Sequence, residues 1–432
     1  MTLLRWLRTA AIDTKPLKHT DFRRLWAGNA VSFVGFQLTA VAVSVQVFAV
    51  SGSSLWVGAL GAAALVPLVL FGLAGGAISD AFDRRVVLLV SSVVTWMSTW
   101  GLFFQALLGM RSIALIFALV ALQSAGFAVT SPTRSAIIPR LLPVDLVPSA
   151  NTLNFTASNV GTIAGPLLAG VLVAHGSYAI AYGLDAVLFT FALYAAIRLP
   201  AMPPSGPKSP PGLRSIVEGL AFIATRPVLL ASFAVDIVAM VLAMPRSLFP
   251  EIGADRFGGG EAVGWLFAAI SIGSVVGGLA SGWIGRVRRQ GVALLVAVTG
   301  WGVAVTLSGL AGHLWLAVVL LAFAGMADLV SGVYRQTILQ VYAPDEMRGR
   351  MQGVFTVVVA GGPRLGDVRA GVVAASLGAS ASWVGGGIVC VIVVLMVALF
   401  VPAIRNYTSA EASPAALPTP PEPARAEPPS CT

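Results

Sequence analysis

The stretch Gly76-Ala77-Ile78-Ser79-Asp80-Ala81-Phe82-Asp83-Arg84-Arg85 is a short charged hinge between two long apolar runs, in a chain of 432 residues of which only 10% are charged. Glycine lets two helices approach closely, and an aspartate followed by paired arginines holds such a turn in water. A related hinge recurs in the second half as Gly278-Leu279-Ala280-Ser281-Gly282-Trp283-Ile284-Gly285-Arg286-Val287-Arg288-Arg289. One junction used twice implies two similar helical bundles facing each other.

The composition excludes an ordinary soluble globule. Hydrophobic residues make up 57% of the chain and the mean hydropathy is +0.88. A spanning helix needs about 20 apolar residues, so the length accommodates a dozen spans with short loops. Cys390 and Cys431 offer neither a disulfide framework nor a metal spacing. His19, His175 and His313 are scattered, so no metal site is expected. The net charge of +9 reports basic loops before it reports nucleic acid, and no nucleic-acid partner is expected. The basic lead-in carries no cleavable signal pattern.

Working outward from the hinge, apolar runs lie at about Leu25–Val50, Leu55–Ser79, Val86–Leu108, Ser112–Thr133, Ala150–Ala174 and Tyr178–Ile197. A second set follows at about Pro227–Phe249, Ala262–Ile284, Val292–Leu310, Leu314–Val333, Met351–Ala375 and Ser382–Val401. The expected organisation is a cytoplasmic N-terminal segment over 1–24 and a six-helix bundle over 25–198. A proline-rich linker with an amphipathic helix covers 199–226, a second six-helix bundle 227–401, and a disordered cytoplasmic tail 402–432. Placing both termini in the cytoplasm puts 22 of the 27 basic residues in cytoplasmic segments and leaves Arg111, Arg246 and Arg256 on the opposite face. A constant offset of 201 residues separates Arg134 from Arg335, Pro143 from Pro344 and Asn151 from Gln352. The fold class expected is therefore an all-α membrane protein of twelve transmembrane helices in two parallel six-helix pseudo-repeats.

These residues resemble the major facilitator superfamily. Gly76–Arg85 is similar to its loop signature Gly-x-x-x-Asp-x-x-x-Arg-Arg, with Ala81 and Asp83 departing from it at a usual base and a usual glycine. Gly161-Thr162-Ile163-Ala164-Gly165-Pro166-Leu167-Leu168-Ala169-Gly170 resembles the superfamily's antiporter signature. The phrases around Pro132–Pro139 and Gln340–Arg350 look like a subgroup of siderophore exporters and drug-efflux pumps. Ala118–Phe127 contains Gln123 and Gly126 without the arginine that drug–proton antiporters usually keep in span 4.

The resemblance implies a gate at Gly76, Asp80, Arg84, Arg85 and Arg134, where the Asp80 carboxylate would pair with Arg134. The bland reading is that these charges simply keep the loop in water. It implies a hinge and seal at Gly161, Gly165, Pro166 and Gly170, against plain small-residue packing. Arg364, Asp367 and Arg369 are charged side chains inside an apolar run, where an unpaired charge is expensive. They form either a structural ion pair or a cavity-facing cluster that draws in an anionic or polar substrate. Asp185, Asp236 and Asp328 are the remaining intramembrane acids, suited to taking up a proton on one side and releasing it on the other, or else to interhelical hydrogen bonds.

The resulting expectation is a non-enzymatic secondary transporter, monomeric in the lipid bilayer of the inner membrane. It would export a small organic molecule, a siderophore or other secreted metabolite or a drug, by alternating access. The expected driver is an ion gradient, protons in antiport, with no cofactor. An importer of the same fold and a non-transporting sensor or scaffold are the alternatives.

Overall fold

The computed structural model describes residues 13–175, 177–203, 213–342 and 348–408, and all of its elements are helical. Twelve long helices dominate: α1 Thr20–Ser51, α2 Ser54–Ala81, α3 Arg84–Leu107, α4 Ile113–Leu141, α5 Val147–Ala174 and α6 Tyr178–Ile197 in the first half. The second half contributes α7 Pro227–Ala243, α8 Gly260–Leu279, α9 Gln290–Leu310, α10 Leu314–Tyr342, α11 Arg348–Leu377 and α12 Ala379–Phe400. Among the described residues, eleven segments are long and apolar enough to cross a membrane. The helix outside that set is α11, long enough but interrupted by Arg364, Asp367 and Arg369. The chain is a multi-pass membrane protein.

The packing repeats element for element. In the first half α1 packs on α5 and α6, α4 on α2 and α3, and α3 on α6. In the second, α7 packs on α11 and α12, α10 on α8 and α9, and α9 on α12. The halves meet through α2 against α11 and α5 against α8, which exchange under the same repeat. This is the twelve-helix, two-bundle arrangement expected from the doubled hinge.

Both termini leave from one face, termed here the basic face because it carries Arg23, Arg24, Arg84, Arg85, Arg286, Arg288 and Arg289. The other is the far face. On the basic face Asp13 accepts hydrogen bonds from Lys15 N and from Ser149 Oγ, which hold its carboxyl below the usual carboxylate range.

Several boundaries differ from the sequence expectation, each for a local reason. α4 and α10 run to Leu141 and Tyr342, so Arg134 and Arg335 sit inside helices rather than in loops. Helix α7 stops at Ala243 because Pro245 cannot continue it, and a short far-face helix Phe249–Phe257 follows. The expected disordered tail begins with structure: Pro402–Asn406 is helical, with Ile404 and Tyr407 buried against the start of α9. Tail residues 409–432, linker residues 204–212 and the Pro344 and Gln352 side chains of the repeat lie outside what is described, as does the Asp80 side chain.

Candidate functional site

A cavity of about 630 Å³ lies between the halves, walled by α1, α2, α4, α5, α8 and α11 and by the break after α7. Phe33, Phe36 and Phe267 give it aromatic surface, Gln37, Gln123 and Thr162 neutral polarity, and Arg246, Arg364 and Asp367 charge. That is the usual make-up of a small-molecule site, mostly apolar with a few convergent polar groups.

Glycine-to-glycine contacts close the far end of this cavity, once on each side of the repeat. A methyl added at Gly170 of α5 would stand 3.0 Å from Gly264 Cα of α8, and one at Gly264 only 2.6 Å from Pro166 O. On the other side a methyl at Gly371 of α11 would stand 2.6 Å from Ser54 O and 3.2 Å from Gly58 Cα of α2. Gly371 is the repeat equivalent of Gly170. Ser54 Oγ also donates to Glu251 of the far-face helix, a hydrogen bond between the halves. Backbones this close leave no passage between them.

The antiporter-like motif divides its work. Gly161 and Gly165 admit α1, facing Phe33 and the Val34–Leu38 backbone, while Gly170 serves the seal and Pro166 lines the cavity. The charged trio of α11 divides as well. Arg364 and Asp367 face the cavity, whereas Arg369 points away and caps the broken end of α7. Its Nε donates to Val241 O at 3.1 Å, its Nη2 to Leu242 O and its Nη1 to Ser382 O at 3.3 Å. An Arg364–Asp367 ion pair is not formed. Arg364 Nη1 donates to Ala360 O at 2.6 Å, and Asp367 accepts from Ser247 N at 3.1 Å.

The three other acids all find partners. Arg335 of α10 pairs with Asp236 of α7 and lies 3.8 Å from Asp328 on its own helix. Asp185 of α6 accepts from Thr39 Oγ1 at 2.6 Å and rests on Gly35, where any side chain would collide with the carboxylate. Thr39 reaches the cavity wall, so Asp185 is one side chain removed from it.

At the hinge, the Asp83 carboxylate accepts from Arg85 N at 2.8 Å and from Met202 N at 3.1 Å, capping α3 and tying down the end of α6. The departure from glycine at this position therefore gives the hinge an anchor. Arg84 donates to Ala136 O of α4 and Arg85 to Ile197 O of α6, both within the first half. Arg134 donates to Asn29 Oδ1 of α1. The proposed partner Asp80 and the neighbouring Gly76 lie outside the described side chains.

Two site residues lie beyond the sequence expectation. Arg335 enters it only as the repeat partner of Arg134, in a loop, and Arg246 only as a far-face charge. A signal for Arg246 is present: it sits inside the apolar run Pro227–Phe249, directly after Pro245.

The family model described as a transmembrane secretion effector matches residues 12–427. The chain is 30% identical over 388 residues to the enterobactin exporter EntS of Citrobacter koseri, covering 88% of this chain and 92% of that one. It is 29% identical to the enterobactin exporter of Shigella boydii over the same shares of each chain. Among solved structures, the nucleoside transporter NupG superposes with a TM-score of 0.72 at 13% identity, over 90% of this chain and 100% of that one. A bacterial homologue of the human lysosomal transporter Spinster superposes with a TM-score of 0.69 at 15% identity, over 91% and 97%. These structures share the fold, and the matching family and relatives are transporters, not enzymes. The two-bundle architecture, the doubled hinge and the family match agree: the chain belongs to the transmembrane secretion effector family of the major facilitator superfamily.

Proposed function

We propose that this protein exports a small secreted metabolite of siderophore type across the inner membrane by alternating access, in exchange for protons. The observation that carries the reading is the central cavity of about 630 Å³, closed at the far face by paired glycine contacts related by the repeat. The likeness to enterobactin exporters over most of both chains supports the direction and the kind of cargo. With the basic face in the cytoplasm, as the distribution of arginines favours, the far face is external. The described state is then the one with its outer gate shut.

For coupling, the acids with a partner to release are Asp236 and Asp328. Arg335 ties α10 to α7 through Asp236, so protonating Asp236 weakens that tie between two helices of the same bundle, while Asp328, on the helix of Arg335, is the second acid the freed guanidinium can turn to. Asp185, hydrogen-bonded to the cavity-wall Thr39, is a second candidate for proton exchange.

Two measurements test the reading. Cells lacking the gene are expected to retain a labelled catecholate siderophore, whereas equal retention with and without the gene would remove that cargo. In inverted vesicles, flux is expected to need an imposed proton gradient. Unchanged flux without the gradient would eliminate proton exchange and leave export standing.

A further inference from the structure

We propose that the cavity takes a small organic anion, that Arg246 receives its anionic group, and that Asp367 is the internal counter-charge the ligand displaces. The inference rests on the exporter reading, since the cavity is the same, and it narrows the cargo to a charge class. Its first support is the charge on the walls. Of the lining side chains Arg246 and Arg364 are cationic and Asp367 is acidic, which leaves an excess of positive charge.

The second support is the state of Arg246. Among the described residues it has no carboxylate oxygen within ion-pair distance, and its Nε is buried without an acceptor. A guanidinium offers five donors in a planar fork that matches a carboxylate, sulfonate or phosphate. Held in the cavity wall with its Nε unfilled, it is poised for an oxyanion.

Asp367 is near enough to Arg246 and Arg364 for their charges to interact, yet it is held back from both. Its Oδ1 accepts from Ser247 N at 3.1 Å, and its carbonyl accepts from Ser247 Oγ at 2.9 Å. It thus tempers the positive field without filling the donors. Phe33, Phe36 and Phe267 provide surface for an aromatic or apolar body, and a lipophilic cation would meet walls with one positive charge in excess. The Asp367 carbonyl also stands 2.5 Å from where a Gly58 methyl would be. A ligand that loosens the Asp367–Ser247 contact therefore acts directly beside the α2–α11 seal.

The test is fluorescence anisotropy of the purified full-length protein with carboxyfluorescein, an anionic aromatic probe, and rhodamine 6G, a cationic one of similar size. The wild type is expected to prefer carboxyfluorescein. Arg246→Gln should weaken its binding by about tenfold or more, and Arg246→Lys should restore part of it. Asp367→Asn keeps an acceptor for Ser247 N but loses the charge, and should tighten anion binding several-fold. A purely structural role for these residues would not move the two variants in opposite directions. Thermal unfolding of each variant separates lost binding from lost fold. Preference for rhodamine 6G, no binding of carboxyfluorescein, or loss of affinity in a stably folded Asp367→Asn would overturn the proposal. The siderophore retention experiment reports on export independently, so either idea can fail while the other survives.

Discussion

Arg335 is the residue whose environment leaves least freedom. Its guanidinium is 6% exposed and the partner Asp236 carboxylate 3% exposed, with Asp328 as a second acid. Removing one member of a buried pair leaves an uncompensated charge, at a cost of about 3–5 kcal/mol. Arg335→Gln is therefore expected to lower the unfolding temperature in detergent strongly, and Arg335→Gln with Asp236→Asn to recover part of the loss. A double variant no more stable than the single would show the pair to be uncoupled. The acids of this cluster were legible in the sequence, because an aspartate within an apolar run is conspicuous. Their partner was not, because the apolar stretch of α10 ends near Val333 while the helix continues to Tyr342. Arg246 was obscured for a similar reason: Pro245 ends the helix, but the chain after it still lines the cavity through Arg246 and Ser247. Arg369 shows the converse, a charge conspicuous in sequence whose donors are occupied by the Val241 and Leu242 carbonyls at the end of α7 and by Ser382 O of α12.

At the scale of helices, the seal depends on the absence of side chains at four positions. Gly170 and Gly264 join α5 to α8, and Gly58 and Gly371 join α2 to α11. A valine at Gly264 would drive its methyls into Pro166 O and the Gly170 backbone, neither of which can swing aside. Gly264→Val is thus expected to hold the far-face ends of α5 and α8 apart. Spin labels across that contact would report a longer distance, and export would fall at least tenfold. An unchanged distance with full export would mean that the halves do not need this approach. Gly371→Val should act in the same way at the symmetry-related contact. The sequence revealed the glycine face of α5 but not its division between α1 and α8, because periodicity gives the side of a helix and not the neighbour that meets it. The equivalence of Gly371 to Gly170 followed from the 201-residue offset; their partners Gly264 and Gly58 emerged only from the packing.

The whole molecule behaves as two copies of one bundle whose ends are secured differently. The alternation of the twelve helices places both described chain ends on the basic face, and the proposed orientation, favoured by the arginine distribution, has that face in the cytoplasm. A reporter active only in the cytoplasm should therefore work when fused after residue 207 or 408 and fail after Gly109 or Gly312. Success at Gly312 would invert the topology and, with it, which gate is shut. The C-terminal end is where composition misled most, because proline and alanine richness was extended back to residue 402. Residues 402–408 instead fold under the second bundle. Ile404 is fully buried, Gly291 N of α9 donates to Tyr407 O at 3.4 Å, and the Tyr407 ring lies 5.9 Å from that of Tyr342 on α10. The segment that follows α12 is thereby tied to the start of α9, as the segment that follows α6 is tied to the start of α3 through Met202 and Asp83 in the first bundle. Ile404→Ala should cost about 2–5 kcal/mol, seen as a lower unfolding temperature in detergent, whereas truncation after residue 408 should leave that temperature unchanged. If truncation after residue 401 were equally silent, the segment would be an ornament on the bundle rather than part of it.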